Sequence, residues 1–326
     1  MSIKLLKTVF ADLGASSDWS IQVLRISVSK RKGVGYTGRL IHLDPPGRLL
    51  EFVKEISDRY VSEPKGILHM YSDVSEYDGS TMADTVYKLS GQHPLIVEEY
   101  QALIKAAAKP DAEIDPFALS PQAYLLKGRV TYLGVEQPIK LISMQKPVTQ
   151  LKHKFWGSNG TFREIEKPVL TLRPAIDAVI FQDTVYMLTL AAENLFHMER
   201  SYKAVCSEKM AEVTACSILT DAEAFCNIAG SGQNPRKFLS FNASRLESLK
   251  DKDIRKAMAR KFSIPFDGDK FDTSQEAASE KLVKLLCNKG MLDPCLVCIV
   301  EKYSGTSSAL VYGIHECWLH FCLYCP

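Results

Sequence analysis

The sequence predicts a mixed α/β (α+β) fold, on three observations. Strand and helix patterns alternate up to residue 110. Two hairpin patterns follow in the middle of the chain, and helical periodicity dominates from Leu190 onward. An N-terminal mixed strand/helix part, central β-hairpins and a helical C-terminal part together indicate a sheet with packed helices plus a helical region.

The N-terminal part is predicted to begin with a pair of strands. Apolar and polar residues alternate over 18–30, which indicates a strand, and 38–44 is its predicted partner. Residues 45–63 carry apolar side chains at helical spacing after a proline start, which indicates a helix. The remaining predicted elements are a strand at 65–74 and helices at 80–90 and 94–109.

The central part is predicted to hold β-hairpins. The β-rich runs 123–134 and 137–147 are predicted to form a hairpin or adjacent strands, and Gln182-Asp183 is the predicted tight turn of a hairpin within 169–189. The predicted helices after Leu190 lie at 191–213, at 221–230, near 243–262 and at 274–290, with Gly290 as the last stop.

A Pro/Asp-rich connector at 110–121 is the predicted domain boundary. It separates an acidic N-terminal domain, 1–115, from a core domain, 120–294. Residues 295–326 form a tail in which Cys and aromatic residues are crowded and charges are few.

The charge is balanced overall but uneven along the chain. Lys and Arg number 40, and Asp and Glu number 38. Residues 51–115 carry 13 Asp/Glu and 6 Lys/Arg, whereas residues 236–261 carry 9 Lys/Arg and 3 Asp/Glu. We therefore expect an acidic region and a separate cationic surface.

A cytoplasmic location is predicted. Lys7 and Asp12 interrupt the short N-terminal apolar run, which is not the pattern of a signal peptide. No segment approaches the ~20 apolar residues of a membrane-spanning helix. The nine cysteines of such a chain are not expected to form a disulfide framework.

One glycine motif matches G-x-G-x-x-G, at Gly33, Gly35 and Gly38, directly after the three basic residues 30–32. A dinucleotide fingerprint needs a helix after the glycines, and the proline-rich residues that follow do not predict one. We interpret the motif as a glycine-rich hairpin connection. A nucleotide loop and a basic tip that touches nucleic-acid phosphates are the alternatives.

The segment 234–262 is the main candidate binding surface. Its apolar seam consists of Ile254, Met258 and Phe262, four residues apart. The candidate DNA-binding cations are Arg236, Lys237, Lys252, Arg255, Lys256 and Arg260. A cationic helix face gains free energy when it meets phosphates and releases their counterions. The alternative is a solvated basic face.

A second candidate lies at 151–163, where Lys152, Lys154 and Trp156 surround a Gly-Ser-Asn-Gly turn together with further aromatic and basic residues. Aromatic rings interleaved with cations suit the stacking of nucleic-acid bases. The alternative is a hairpin whose aromatic rings pack inward.

Metal and enzyme motifs are weak. The pairs Cys295/Cys298 and Cys322/Cys325 have the spacing of zinc ligands. No glycine follows either pair, and the second pair lies one residue from the chain end, so we interpret the segment as an apolar tail and predict no cofactor. A zinc site is the alternative. The one nuclease-like trace is Asp58 with Glu63 and Lys65. The pattern Glu-Pro-Lys at a helix end fits poorly with carboxylates on converging strands.

The stretch 176–213 resembles a known bacterial family. A strand with the pattern Ile-Asp-x-Val-Ile-Phe is followed by a short turn and Val-Tyr-Met-Leu, and then by a helix with Asn194-Leu-Phe196 and Tyr202. This pattern is similar to the family that includes the cytosolic B subunit of the Kiwa anti-phage defence system. Residues 281–294 resemble the closing helix of that family, and the resemblance spans about 120–294.

The resemblance implies a soluble, non-enzymatic defence effector that binds DNA. It also implies a small transmembrane partner at the inner membrane and self-association into a homo-oligomer. The tail from Cys295 departs from the family pattern. No catalytic residue is carried over from the family.

Sequence-independent DNA binding is therefore the expected function, because the chain has cationic clusters but no base-reading motif. Two alternatives stay open. One is a metal-dependent nuclease, and the other is a protein-interaction scaffold whose basic face meets an acidic protein.

Overall fold

A computed structural model describes residues 2–16, 18–29, 33–45, 47–110, 121–145, 155–158, 161–164 and 172–287. The chain separates into two compact units, Met1–Tyr202 and Lys203–Pro326. Together they hold helices and a mixed sheet, so the predicted mixed α/β class is confirmed.

The first unit is built on an eight-stranded sheet in the order β2-β1-β5-β6-β9-β10-β4-β3. Neighbouring strands are antiparallel except β3 and β4, which are parallel. The strands are β1 Ser20–Ser29, β2 Gly33–Ile41, β3 Asp73–Glu76, β4 Thr85–Ser90, β5 Ala123–Tyr132, β6 Val135–Met144, β9 Ala178–Phe181 and β10 Thr184–Met187. A separate two-stranded ribbon consists of β7 Phe155–Ser158 and β8 Thr161–Glu164.

Helices cover both faces of this sheet. On one face, α1 (Ile3–Ala11) and α2 (Arg48–Val61) pack on a core that includes Phe10, Val53 and Tyr124. On the other face lies α3 (Val97–Ala108), whose Ala107 carbonyl accepts a hydrogen bond of 3.0 Å from the buried Gln22 side chain of β1. Successive side chains along a strand therefore point alternately toward the helices on the two faces of the sheet.

Two tight turns fix the register of the central hairpins. Leu133 and Gly134 join β5 to β6 with φ values of 51° and 77°. Gln182 and Asp183 join β9 to β10 with φ values of 49° and 56°. Positive φ at both central residues matches the twist of antiparallel strands. Both hairpins agree with the sequence prediction.

The second unit is helical. The short helix α4, Ala192–Leu195, precedes this unit, and α5, Met198–Ala215, runs into it. The elements that follow are α6 Ala222–Ala229, α7 Asn234–Lys237, α8 Ala243–Ser248, α9 Lys252–Lys261, the short strands β11 Phe266–Asp267 and β12 Lys270–Phe271, and α10 Glu276–Cys287. Its core includes Phe225, Phe238, Met258 and Leu282, all at most 1% exposed. The helical C-terminal part is thus as predicted, while Gly290 lies outside the described residues.

The glycine motif is not a turn. Gly33, Gly35 and Gly38 lie within β2, which begins at Gly33 opposite Ser29, the last residue of β1. A Cβ at Gly38 would lie 3.2 Å from the Leu24 side chain and 3.5 Å from the Ala106 carbonyl oxygen of α3. A side chain there would crowd Gln22 and Leu24 of the neighbouring strand β1, so a packing contact within the sheet accounts for the glycine.

Two predicted elements before residue 110 differ from the structure. The segment 80–90 is not a helix, because β4 occupies its second half between β10 and β3. The strand predicted at 65–74 is instead a 3₁₀ turn, Ile67–Met70, followed by β3. The predicted helices at 45–63 and 94–109 are present as α2 and α3.

The predicted boundary near residues 115–120 does not separate two sheets. β1, from the N-terminal side, pairs directly with β5, from the other side, with Ile21 opposite Leu126. A Pro/Asp-rich connector indicates a break in regular structure, but it does not indicate which strands pair across it. The tail 295–326 lies outside the described residues.

Candidate nucleic-acid interface

The helix α9 presents the most basic surface of the segment that the sequence singled out. Its N-cap is Asp251, whose carboxylate accepts hydrogen bonds of 2.8 Å and 3.0 Å from the backbone N–H groups of Asp253 and Ile254. An aspartate at this position satisfies donors that the first turn leaves free and favours a helix start at residue 252.

The inner face of α9 is the predicted apolar seam. Met258 is fully buried, and Ile254 and Phe262 pack against the same core. Burial of this seam fixes the rotation of the helix about its axis. The fixed rotation directs the opposite face, with Lys252, Lys256 and Arg260, to solvent.

The exposed row is only partly neutralised by the protein itself. The Lys252 ammonium lies 2.6 Å from a carboxylate oxygen of Asp269, and both side chains are more than half exposed. The hydrogen bond from Lys252 holds the pKa of Asp269 below its usual value, with Arg255 and Lys256 adding weaker effects. Within the described residues, neither Lys256 nor Arg260 forms an ion pair or a side-chain hydrogen bond.

Arg255 has a structural position rather than an exposed one. Its side chain is 8% exposed. Its Nε donates to the Asp269 carbonyl oxygen at 2.6 Å, and its Nη1 donates to the carbonyl oxygens of Leu249 at 2.7 Å and Lys250 at 3.3 Å. The guanidinium thus joins the end of α8 to the β11–β12 turn and is not available to a phosphate.

A cavity of about 450 Å³ opens beside the C-terminal half of α9. Its cationic edge consists of Lys256 and Arg260, and its apolar wall includes Ile264, Pro265 and Phe266. Phe266 is held by an edge-to-face contact with Phe271, at 5.8 Å between ring centroids. The arrangement places two free cations beside a concave apolar surface.

Arg236 and Lys237 belong to a different element, α7, which packs against α6 and α10. Both side chains are half-buried, and the Lys237 ammonium donates to the Asn234 side chain at 2.7 Å. α9 packs instead against β12. The two predicted groups of cations are therefore positioned by separate contacts.

The predicted hairpin around the Gly-Ser-Asn-Gly turn is present as the β7–β8 ribbon. Trp156 is directly opposite Arg163 in its register. Lys152 and Lys154 lie outside the described residues. The role of this ribbon in DNA binding stays a prediction.

The candidate metal and nuclease residues are not assembled into a site. Cys295, Cys298, Cys322 and Cys325 lie outside the described residues. Asp58 is exposed on α2, and Glu63 and Lys65 are exposed in the turn that follows it, not on adjacent strands. In the part of the chain that the structure describes, no group of three or more His, Cys, Asp or Glu residues could hold a metal ion.

Sequence reasoning missed two features of the α9 surface. Lys261 is exposed, with its ammonium 5.8 Å from the centroid of the Phe262 ring, and it extends the cationic edge. The cavity wall after the helix was also missed. Pro265 could have indicated this wall from the sequence, because proline is common shortly after the end of a helix.

Comparison with known proteins gives one family. Residues 139–291, slightly under half of the chain, match the family model described as Kiwa protein KwaB-like. No curated protein and no solved structure matches the chain. None of the helices in the described ranges combines the length and the apolar composition that crossing a bilayer requires. The matched region contains the strand Ala178–Phe181, the helices that follow it and α9, so residues 139–291 are similar to the Kiwa KwaB-like family and agree with the resemblance seen in the sequence.

Proposed function

We propose that this component of the Kiwa anti-phage defence system binds DNA without sequence preference and without cleaving it. The binding surface is the exposed face of α9, with Lys256, Arg260 and Lys261 as its central cations and Lys252 at its edge. The observation that carries the proposal is the exposed Lys256–Arg260 pair, which lines an apolar cavity and has no ion pair among the residues that the structure describes.

Electrostatics favours a polyanion as the ligand. Two like charges one helical turn apart destabilise the isolated protein by a few tenths of a kcal/mol. Phosphates reverse the sign of that contribution and release counterions on binding. Contacts of this type position a duplex without reading bases, which fits a helix that carries no base-reading pattern.

The predicted surface is thus revised in one respect. Arg255 is left out, because its guanidinium is buried and donates to three carbonyl groups. Arg236, Lys237, Lys152, Lys154 and Trp156 remain proposed as secondary contacts. Arg236 and Lys237 lie on α7, and Trp156 lies on β7.

The partner and location are proposed from the family. A small transmembrane subunit would hold the protein at the inner membrane, and the protein would act there as a homo-oligomer. The Kiwa match supports a multi-component system. Co-purification of the chain with its genetic neighbour in membrane fractions tests this arrangement.

Reversal of the two free cations will weaken DNA binding. We expect Lys256→Glu/Arg260→Glu in the full chain to raise the dissociation constant for a 20-base-pair duplex roughly tenfold to a hundredfold, because two phosphate contacts become repulsive. The slope of log affinity against log salt will fall by about 2. Fluorescence anisotropy between 50 and 200 mM salt measures both quantities.

The matched control is Lys54→Glu/Arg59→Glu, which makes the same charge change at exposed positions of α2. We expect it to alter the dissociation constant less than threefold, through long-range charge alone. Equal losses of DNA affinity in the two variants would show that only net charge matters, and would exclude the α9 surface as the binding site. Cleavage of the duplex with Mg²⁺, abolished by Glu63→Ala, would favour the nuclease alternative instead.

A further inference from the structure

A second cavity, of about 500 Å³, lies within the first unit between α3 and the sheet. Its floor is apolar and includes Ile104 and Ala108 of α3 with Pro138 and Ile180 of the sheet. Ligand pockets typically have volumes of roughly 300–1,000 Å³, with an apolar lining and a few polar groups. The proposed DNA surface does not use this cavity.

Two lysines from different elements line the cavity. Lys105 lies on α3, and Lys140 lies on the central strand β6. Lys140 is half-buried, and burial lowers its pKa, followed by the effect of Lys127, while Asp183 acts in the other direction. Within the described residues the Lys140 ammonium has no hydrogen bond or ion pair, whereas Lys127 donates to the Ala107 carbonyl oxygen at 2.8 Å.

The half-buried charge of Lys140 destabilises the protein, and a bound anion would offset that effect. Lys127 and Lys140 are direct partners across β5 and β6, so they are like charges on one face of the sheet. An anion between Lys105 and Lys140 would relieve that repulsion. It would also satisfy the half-buried ammonium group.

The third wall is preformed by the β9–β10 turn. The Tyr100 hydroxyl donates to Oδ1 of Asp183 at 2.6 Å, and the Asp183 carbonyl oxygen accepts from the Gly91 N–H at 2.8 Å. A Cβ at Gly91 would lie 2.5 Å from the Tyr100 ring, so glycine permits this arrangement. The second oxygen of Asp183 is directed to no other described partner and suits a ligand hydroxyl.

We propose that this cavity binds a small organic phosphate of mononucleotide size. Lys105 and Lys140 bind the phosphate, and the apolar floor packs against the planar base. Asp183 accepts a hydrogen bond from a ribose hydroxyl, as acidic residues do in dinucleotide sites. The side chains of Gln101 and Gln137, which also line the cavity, offer donors and acceptors to the edge of the base.

Isothermal titration calorimetry on the full chain tests the proposal, with AMP, GMP, CMP and UMP as probes and with inorganic phosphate and adenosine as fragments. We expect at least one mononucleotide to bind with a dissociation constant below about 1 mM, and both fragments to bind at least tenfold more weakly. Lys140→Gln will weaken the best probe about tenfold or more, since it removes a charge-assisted hydrogen bond.

Three variants decide the site. Lys105→Gln, at an exposed position where folding is not at risk, will weaken binding several-fold, and Lys109→Gln, outside the cavity on the same helix end, will change it less than twofold. Lys256→Glu/Arg260→Glu will bind the mononucleotide normally, whatever its effect on DNA. Absence of binding by every mononucleotide, unchanged affinity in Lys105→Gln, or loss of affinity in the α9 variant would overturn the proposal.

Discussion

Replacement of Arg255 by Met will destabilise the second unit by about 3 kcal/mol, although Arg255 belongs to the most basic segment of the chain. Three hydrogen bonds run from its guanidinium to the carbonyl oxygens of Asp269, Leu249 and Lys250. Bonds from a charged donor contribute more than neutral ones, and their loss leaves the acceptors less well satisfied. Met fills the space of the aliphatic stem but donates nothing.

Amide hydrogen exchange in residues 243–271 of the full chain measures this effect locally. A change of about 3 kcal/mol corresponds to exchange more than a hundredfold faster for amides that open with the unit. Arg255→Lys keeps the charge, but one ammonium cannot reach the end of α8 and the β11–β12 turn together, so we expect it to recover less than half of the loss.

Lys256→Met is the matched control, because it removes the neighbouring cation from an exposed position. We expect it to change stability by less than about 0.5 kcal/mol while it weakens DNA binding. The opposite pattern, with Arg255→Met stable but defective in DNA binding, would return Arg255 to the binding surface and contradict the structural role.

The contrast between these adjacent residues shows what the sequence can predict about the site. The spacing of Ile254, Met258 and Phe262 is local information, and it correctly predicts which side of α9 is buried. The partners of Arg255 come from α8 and from a turn fourteen residues further along the chain. A helical pattern does not contain such nonlocal contacts, so it could not distinguish a buried cation from an exposed one.

The fold shows the same division between local and nonlocal information. The Gln182-Asp183 hairpin was predictable, because a polar pair between two β-rich runs is itself the signal of a tight turn. The strand β4 was not, because Val86, Tyr87 and Leu89 are buried on both of its faces. A short strand covered on both faces lacks the alternation that distinguishes strand from helix.

Asp177, in the strand pattern that matched the Kiwa family, is expected to be the main polar anchor of the central sheet. Its carboxylate accepts a hydrogen bond from the Met144 N–H at 2.7 Å and another from the Thr189 hydroxyl. Its own N–H donates to the Ile142 carbonyl oxygen at 2.8 Å. The residue therefore ties the end of β6 to the segment after β10, within the first unit.

We expect Asp177→Ala to lower the free energy of unfolding of this unit by about 2–3 kcal/mol, since a backbone donor and a hydroxyl lose a charged acceptor. Trp19 can report this change, because its ring lies against Gly128 of β5 and its Nε1 donates to the Leu13 carbonyl oxygen. Trp156→Phe/Trp318→Phe removes the other two tryptophans of the chain, and urea unfolding is then followed by Trp19 fluorescence.

Two further variants separate the anchor from a general effect of lost charge. Asp177→Asn retains one acceptor oxygen but turns an NH₂ group toward a donor. We therefore expect it to lower the free energy of unfolding by less than Asp177→Ala does, but measurably. Glu136→Ala, on the neighbouring strand β6, removes only an exposed ion pair with Arg129 at 3.2 Å and will cost less than about 1 kcal/mol. If Asp177→Ala costs no more than Glu136→Ala, the aspartate is not an anchor, and its presence in the family pattern needs a functional explanation.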